Sequence, residues 1–207
     1  MGSEPLTFTD EELARQTQAG SLAAFEALVH RYGPRIYGFI AQTSRNGNDA
    51  ADITQDTFVR AFRGISRYDP SREFAPWLFT LARHATIDYF RRKPSVAEEP
   101  LPEKIDYNDP SELVARREDS LQLWRLARRH LPEIQFQALW LHYAEDMRVA
   151  QVARVLRKTR IHIKVLLYRA RRALAQELSA EHENKNQGRP QPRVRGRKRF
   201  HLLHKFI

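Results

Sequence analysis

Cysteine is absent from all 207 residues, which excludes disulfides, thiolate metal sites and cysteine nucleophiles and fits a reducing compartment. Long apolar runs are missing too. Nowhere do about 18 apolar residues follow one another, and the opening MGSEPLTFTDEEL lacks both a basic stretch and an apolar core. A cytoplasmic protein that does not insert into a membrane is expected. Acidic charge is in short supply: 25 Asp plus Glu against 35 Lys plus Arg leave a net +10, which points to nucleic acid or another anionic partner.

The imbalance is uneven along the chain. Residues 1–96 hold 12 basic and 11 acidic side chains, whereas residues 97–118 hold 3 and 7. Residues 119–180 then carry 12 against 5, and residues 181–207 carry 8 against 2. A near-neutral module and a basic one are thus separated by an acidic stretch, KPSVAEEPLPEKIDYNDP, whose Pro94, Pro100, Pro102 and Pro110 resist regular structure. The expected fold is all-α. Two small helical domains, 9–93 and 111–180, are joined by a flexible linker over 94–110 and followed by a basic disordered tail over 181–207.

In the first module Thr9-Asp10-Glu11-Glu12 is a capping box, and Gly20-Ser21 restarts a helix with Leu22, Phe25, Leu28, Val29, Tyr32, Ile36, Phe39 and Ile40 as core positions. Asn48 is expected to cap a third helix that buries Ile53, Thr57, Phe58, Ala61, Phe62 and Ile65. Its other face carries Asp52, Gln55, Asp56, Val59 and Arg63 at spacings of three or four, a solvent-facing strip running from acid to base. After the loop Tyr68–Glu73 a further helix buries Phe74, Leu78, Leu81, Ala85 and Tyr89 and turns Trp77, His84, Asp88 and Arg91 to a neighbouring face. Aromatics interleaved with cations suit single-stranded nucleic acid, although a lone helical Trp more often serves packing.

In the second module Pro132 marks a helix start, and Phe136, Leu139, Trp140 and Tyr143 form an apolar face. Val149, Val152, Ala153 and Leu156 then pattern a short helix, and a turn of a few residues leads to TRIHIKVLLYRARR. That stretch sets six basic side chains, His162 included, opposite an apolar stripe of Ile163, Leu167, Ala170 and Leu174. The layout is that of a helix-turn-helix whose second helix enters the major groove of DNA.

The segments FEALVHRYGPRIYGFI, DAADITQDTFVRAFRGI and YDPSREFAPWLFTLARHATIDYFRR, in this order, resemble the core-binding and promoter-melting domain of bacterial sigma factors of the extracytoplasmic-function group. LPEIQFQALWLHYAEDMRVAQVARVLRKTRIHIKVLLYRARRAL resembles the upstream-element-reading domain of the same group. The resemblance implies that the helix Asp49 to Arg63 docks on the clamp helices of the large subunit of core RNA polymerase, with Asp49, Asp52, Gln55, Asp56, Val59 and Arg63 as contacts. It implies that the loop with Asp69, Ser71 and Arg72, together with Phe74, captures a base flipped from the minus-10 strand. Behind it, Trp77, Arg83, His84, Asp88, Arg91 and Arg92 would grip the DNA fork. For the minus-35 element it implies Arg157, Thr159, Arg160, His162, Lys164, Val165, Tyr168, Arg169, Arg171 and Arg172. An anti-sigma factor or another regulator is the partner expected besides polymerase and promoter DNA, and neither cofactor nor metal is called for.

Departures from the family pattern are Ala51, where an acid is usual, Asp146 and Arg157, where Gly is usual, and Arg148 and Arg160, where small or acidic residues are usual. Arg157 is expected to reshape its turn, and a phosphate on Thr54 or Thr57 would restore the charge missing at Ala51. The alternatives are a stand-alone helix-turn-helix regulator, a sigma-like protein needing modification or an activator, and one that has lost upstream recognition. An enzyme acting on nucleic acid is disfavoured, since the sequence has no HExxH, P-loop or nucleophile elbow. His201 and His204 are spaced for a metal but without nearby acids make a weak site.

Overall fold

The computed structural model describes residues 8–43, 47–92 and 122–187. The expected linker 94–110 and, in the tail, residues 188–207 with His201 and His204 lie outside them. Every regular element among the described residues is helical, as expected. Two compact units form, one within Met1–Glu103 and one within Lys104–Ile207.

In the N-terminal unit α1, Asp10–Gln18, opens with the predicted box: the Thr9 N–H donates to the Glu12 carboxylate at 2.8 Å and the Glu12 N–H to Thr9 Oγ1 at 3.2 Å. Gly20, at φ +97, makes the turn into α2, Leu22–Thr43. Next come α3, Gly47–Gly64, one 3-10 turn, Ile65–Arg67, and α4, Phe74–Arg92. α3 therefore begins at Gly47, one residue ahead of the cap expected at Asn48. α2, α3 and α4 pack on one another around Leu28, Tyr32, Ile36, Phe39, Ile53, Leu78 and Phe79, with the Phe39 and Phe79 rings edge to face at 5.4 Å. α1 is tied to α2 through Asp10, which accepts from Arg31 and from the Tyr32 hydroxyl.

One ion-pair network joins α3 to α4 and was not anticipated. Arg60 reaches Asp88 at 2.8 Å and Asp56 at 2.8 Å, and Arg91 reaches Asp88 at 3.2 Å. The hydrogen bond from Arg60 holds the Asp88 carboxyl below its ordinary value of 3.8. Because the folded-state value is depressed, this contribution is complete above pH 3.8 and is lost as pH falls through the folded value. Asp88→Asn is therefore expected to lower stability at pH 7 by roughly 1 kcal/mol and to flatten the acid limb of urea midpoints measured between pH 7 and 3.

In the C-terminal unit α5, residues 122–130, precedes α6, Glu133–Tyr143, α7, Val149–Leu156, and α8, Arg160–Gln187. α6, α7 and α8 pack mutually, and Phe136, Leu139, Leu141, Val152, Val155, Ile163 and Ala170 are completely or almost completely buried. α8 runs on to Gln187, so the expected tail boundary at residue 181 is corrected: helix continues seven residues into it. No described helix is long and apolar enough to cross a membrane.

Candidate docking groove and nucleic-acid interface

Three faces emerge, two on the N-terminal unit and one on the C-terminal unit. The first is a groove of about 640 Å³ between α2 and α3, floored by Phe25, Phe58 and Phe62, with Val59 and Leu22 on its rim. Phe25 packs against Phe62 at 5.0 Å and Phe58 at 6.5 Å. Leu22 and Phe62, expected in the core, are instead 58% and 48% exposed, and Val59 is 40% exposed. Apolar surface left open at three neighbouring positions is what a partner-binding groove requires.

Asp52, Gln55 and Arg63 are exposed beside this groove as expected, and Ala51 lines it. Asp56 is partly engaged by Arg60. Asp49 is corrected. It is only 6% exposed and accepts a hydrogen bond from the Tyr89 hydroxyl at 2.8 Å, so it links α3 to α4 and is not available as a surface contact. Thr57 is also corrected as a modification site: it is fully buried and donates to the Ile53 carbonyl at 2.7 Å. Thr54 is half-buried and donates to the Ala50 carbonyl at 2.7 Å.

The second face is built on the loop between α3 and α4. Asp69 Oδ1 accepts both the Ser71 hydroxyl at 2.7 Å and the Ser71 N–H at 3.0 Å, and Oδ2 accepts from Arg72 Nε at 3.2 Å. The Ser71 hydroxyl, then its N–H, holds the Asp69 carboxyl below its ordinary value. Tyr68 is buried beneath the loop, where its ring meets Phe74 at 5.5 Å and Trp77 at 5.0 Å and its hydroxyl donates to the Arg72 carbonyl. From α1, Gln18 Nε2 donates to the Ile65 and Tyr68 carbonyls at 2.7 Å each, and Glu11 accepts the Phe74 N–H at 3.0 Å. The loop is thus pre-organised by residues 50 or more positions away, Gln18 and Glu11, which no local pattern could reveal.

Ser71 and Arg72 stand exposed on this loop, and Arg91 and Arg92 are exposed at the end of α4. Trp77, Arg83 and His84 are half-buried. Two expectations are corrected here. Phe74 is 1% exposed, a core ring at the start of α4, and cannot reach a captured base. Asp88 is taken up by Arg60 and Arg91, and a carboxylate would repel phosphate, so it serves the α3–α4 contact rather than DNA.

The third face lies on the C-terminal unit. α7 ends at Arg157, whose φ 53 and ψ 47 are left-handed; the Arg157 N–H bonds the Arg154 carbonyl at 3.3 Å and the Lys158 N–H bonds the Ala153 carbonyl at 3.0 Å. Thr159 then caps α8, its Oγ1 accepting the His162 N–H at 3.1 Å. The turn is not reshaped. Arg157 and Asp146, at φ 53 and φ 52, both adopt the conformation that glycine would. Holding Arg in it costs on the order of 1 kcal/mol, so Arg157→Gly is expected to stabilise the unit by roughly 0.5–1 kcal/mol, read from its thermal unfolding.

With Ile163, Leu166, Leu167, Ala170 and Leu174 buried against α6 and α7, α8 exposes Arg160, His162, Lys164, Val165, Tyr168, Arg169 and Arg172. Arg171 is half-buried, 3.5 Å from the Tyr143 hydroxyl. Ile161, not among the expected contacts, stands out at 76% exposure. Beside the turn an open hollow of about 500 Å³ is lined by Arg154, Lys158, Thr159 and Arg160.

Family models for sigma-70 region 2 and sigma-70 region 4 match residues 28–95 and 121–174. The chain belongs to the sigma-70 family, in its extracytoplasmic-function group. It is 33% identical over 172 residues to the sigma factor BldN of Streptomyces coelicolor, covering 81% of this chain and 65% of that one. It is 43% identical over 74 residues to CarQ of Myxococcus xanthus, covering 36% and 42%. The chain thus spans less than two thirds of the length of these curated relatives. Among solved structures, CnrH in complex with the cytosolic domain of CnrY superposes with a TM-score of 0.63 at 26% identity over 83% of this chain and 97% of that one. The region 2 match contains α3, the loop and α4, and the region 4 match contains the helix-turn-helix; α1 precedes the first match.

Proposed function

We propose that this chain is a transcription initiation factor that binds core RNA polymerase and directs it to promoters. The α2–α3 groove, with Val59 and Phe62 as anchors and Asp52, Gln55 and Arg63 as rim, receives the clamp helices of the large subunit. Charge on the rim sets orientation and association rate, and the buried apolar contacts supply affinity. The observation that carries this reading is the open apolar groove along α3, the helix that the family resemblance assigns to polymerase docking.

The loop Tyr68–Glu73 takes one base from the opened minus-10 strand. Flipping a base costs a few kcal/mol, and a loop already held by Asp69, Tyr68 and Gln18 loses little entropy in offsetting it. Ser71 and Arg72 offer hydrogen bonds to the base edge, while Arg91 and Arg92 meet phosphates at the fork. α8 reads the minus-35 duplex. Bond making and breaking belong to polymerase. Acting on promoters places the protein in the cytoplasm. CnrH is held by the cytosolic domain of CnrY, and a restraining protein is assigned to this chain by analogy.

The test is gel retardation of fully duplex and minus-10-melted promoter DNA, with and without core polymerase. The proposal predicts strong, polymerase-dependent binding that prefers melted DNA. A stand-alone helix-turn-helix regulator would bind its duplex site without polymerase and show no preference for the melted strand.

A further inference from the structure

α8 carries an apolar ridge through the middle of its DNA-facing side. Ile161, Val165 and Tyr168, 76%, 40% and 58% exposed, recur at i, i+4 and i+7, directly opposite the buried Ile163, Leu166, Leu167 and Ala170. Among the large hydrophobic side chains of the described residues Ile161 is the most exposed, and nothing in its own unit covers it. At about 100° per residue, Arg160, Lys164 and Arg171 fall on one side of the ridge and His162 and Arg169 on the other. The cations therefore flank the ridge where the two phosphate walls of a major groove would lie, and the apolar side chains point at the groove floor.

That arrangement restricts what can be read. Guanine is normally recognised by Arg or Lys at the centre of a reading helix, and adenine by Asn or Gln, but the centre of this one is aliphatic and aromatic until Arg172. In the major groove the thymine C5 methyl is the apolar group a base offers. We propose that the upstream element is read chiefly through thymine, with Ile161, Val165 and Tyr168 covering C5 methyl groups and the flanking cations fixing register on phosphate. The inference rests on the reading, given above, that α8 enters the upstream duplex.

Full-length protein with core polymerase would first be used to select and footprint a promoter. Each thymine of the upstream element, on either strand, would then be replaced by deoxyuridine, which removes one methyl and leaves base pairing and phosphates unchanged. Affinity is expected to fall about fourfold at two or more positions, the effect of one buried carbon group. With Ile161→Ala the uracil penalty should vanish at one of them, whereas Lys164→Ala should weaken thymine and uracil sites alike. Equal affinity for thymine and uracil at every position, or an element without thymine, overturns the proposal and leaves the ridge to a protein partner. Failure to select any promoter is scored before uracil is introduced, and it removes the functional reading together with this inference.

Discussion

Val59→Arg is expected to weaken binding to core polymerase at least about 100-fold, a loss of roughly 3 kcal/mol, without changing helix content or melting temperature. Val59 is 40% exposed in the free protein, so a long side chain there finds room in water and the N-terminal unit stays folded. Val59 lines the apolar groove with Phe62 and Arg63, the surface proposed to be covered by polymerase. A guanidinium buried there loses hydration, meets no carboxylate among the residues that line the groove and displaces well-packed apolar contact. Asp52→Arg, at the rim, is expected to act differently: a several-fold slower association that shrinks as salt is raised. Equilibrium binding of labelled protein to core polymerase at two salt concentrations separates the two. An undiminished affinity for Val59→Arg would move the docking surface elsewhere.

The second large effect is on stability. Phe74→Ala is expected to remove about 3–5 kcal/mol from the N-terminal unit, a large part of the 5–15 kcal/mol typical of a small domain. The ring is 1% exposed and sits against Tyr32 at 5.4 Å, Tyr68 at 5.5 Å and Trp77 at 5.4 Å, a cluster with little freedom to collapse into the space left. Urea unfolding measures the loss. The milder Phe74→Leu keeps the unit folded and should bind the minus-10 single strand within about twofold of the parent, while Trp77→Ala should lose about tenfold, a stacking contribution near 1–3 kcal/mol. A tenfold loss for Phe74→Leu in folded protein would return Phe74 to the DNA surface.

Much of the fold was legible because helices announce themselves by period. The capping box at Thr9, the turn at Gly20, the short α7 and the cap at Thr159 all formed where the residues indicated. What periodicity could not do was tell a buried apolar position from an exposed one. Leu22 and Phe62 are as apolar as Phe25 and Phe58, and only the packing of α2 on α3 decides which pair stays open. Polar residues posed the same problem in reverse. Asp49 and Asp88 look like surface acids, yet Tyr89 in one case and Arg60 in the other draw them into the unit across 40 and 28 residues of sequence. Arg157 was misjudged for another reason: the Schellman hydrogen bonds of Arg157 and Lys158 impose the left-handed turn whatever side chain is attached.

Exposed cations were legible where charge alone marked them, as at Arg72, Arg92, Arg160 and Lys164. Ile161 was missed because an apolar residue on a basic helix reads as packing until its 76% exposure is known. Gln18 and Glu11 were missed because their partners are the backbone of a distant loop, and a backbone hydrogen bond leaves no trace in side-chain pattern.

The decisive measurement is the mapping of transcript starts made by purified core polymerase on a pool of promoter fragments, with and without this protein. Discrete new starts that depend on the protein, share an upstream and a minus-10 element, and disappear with Val59→Arg are expected of a promoter-directing factor. Transcription that is unchanged by the protein, from polymerase that does not bind it, would rule that role out.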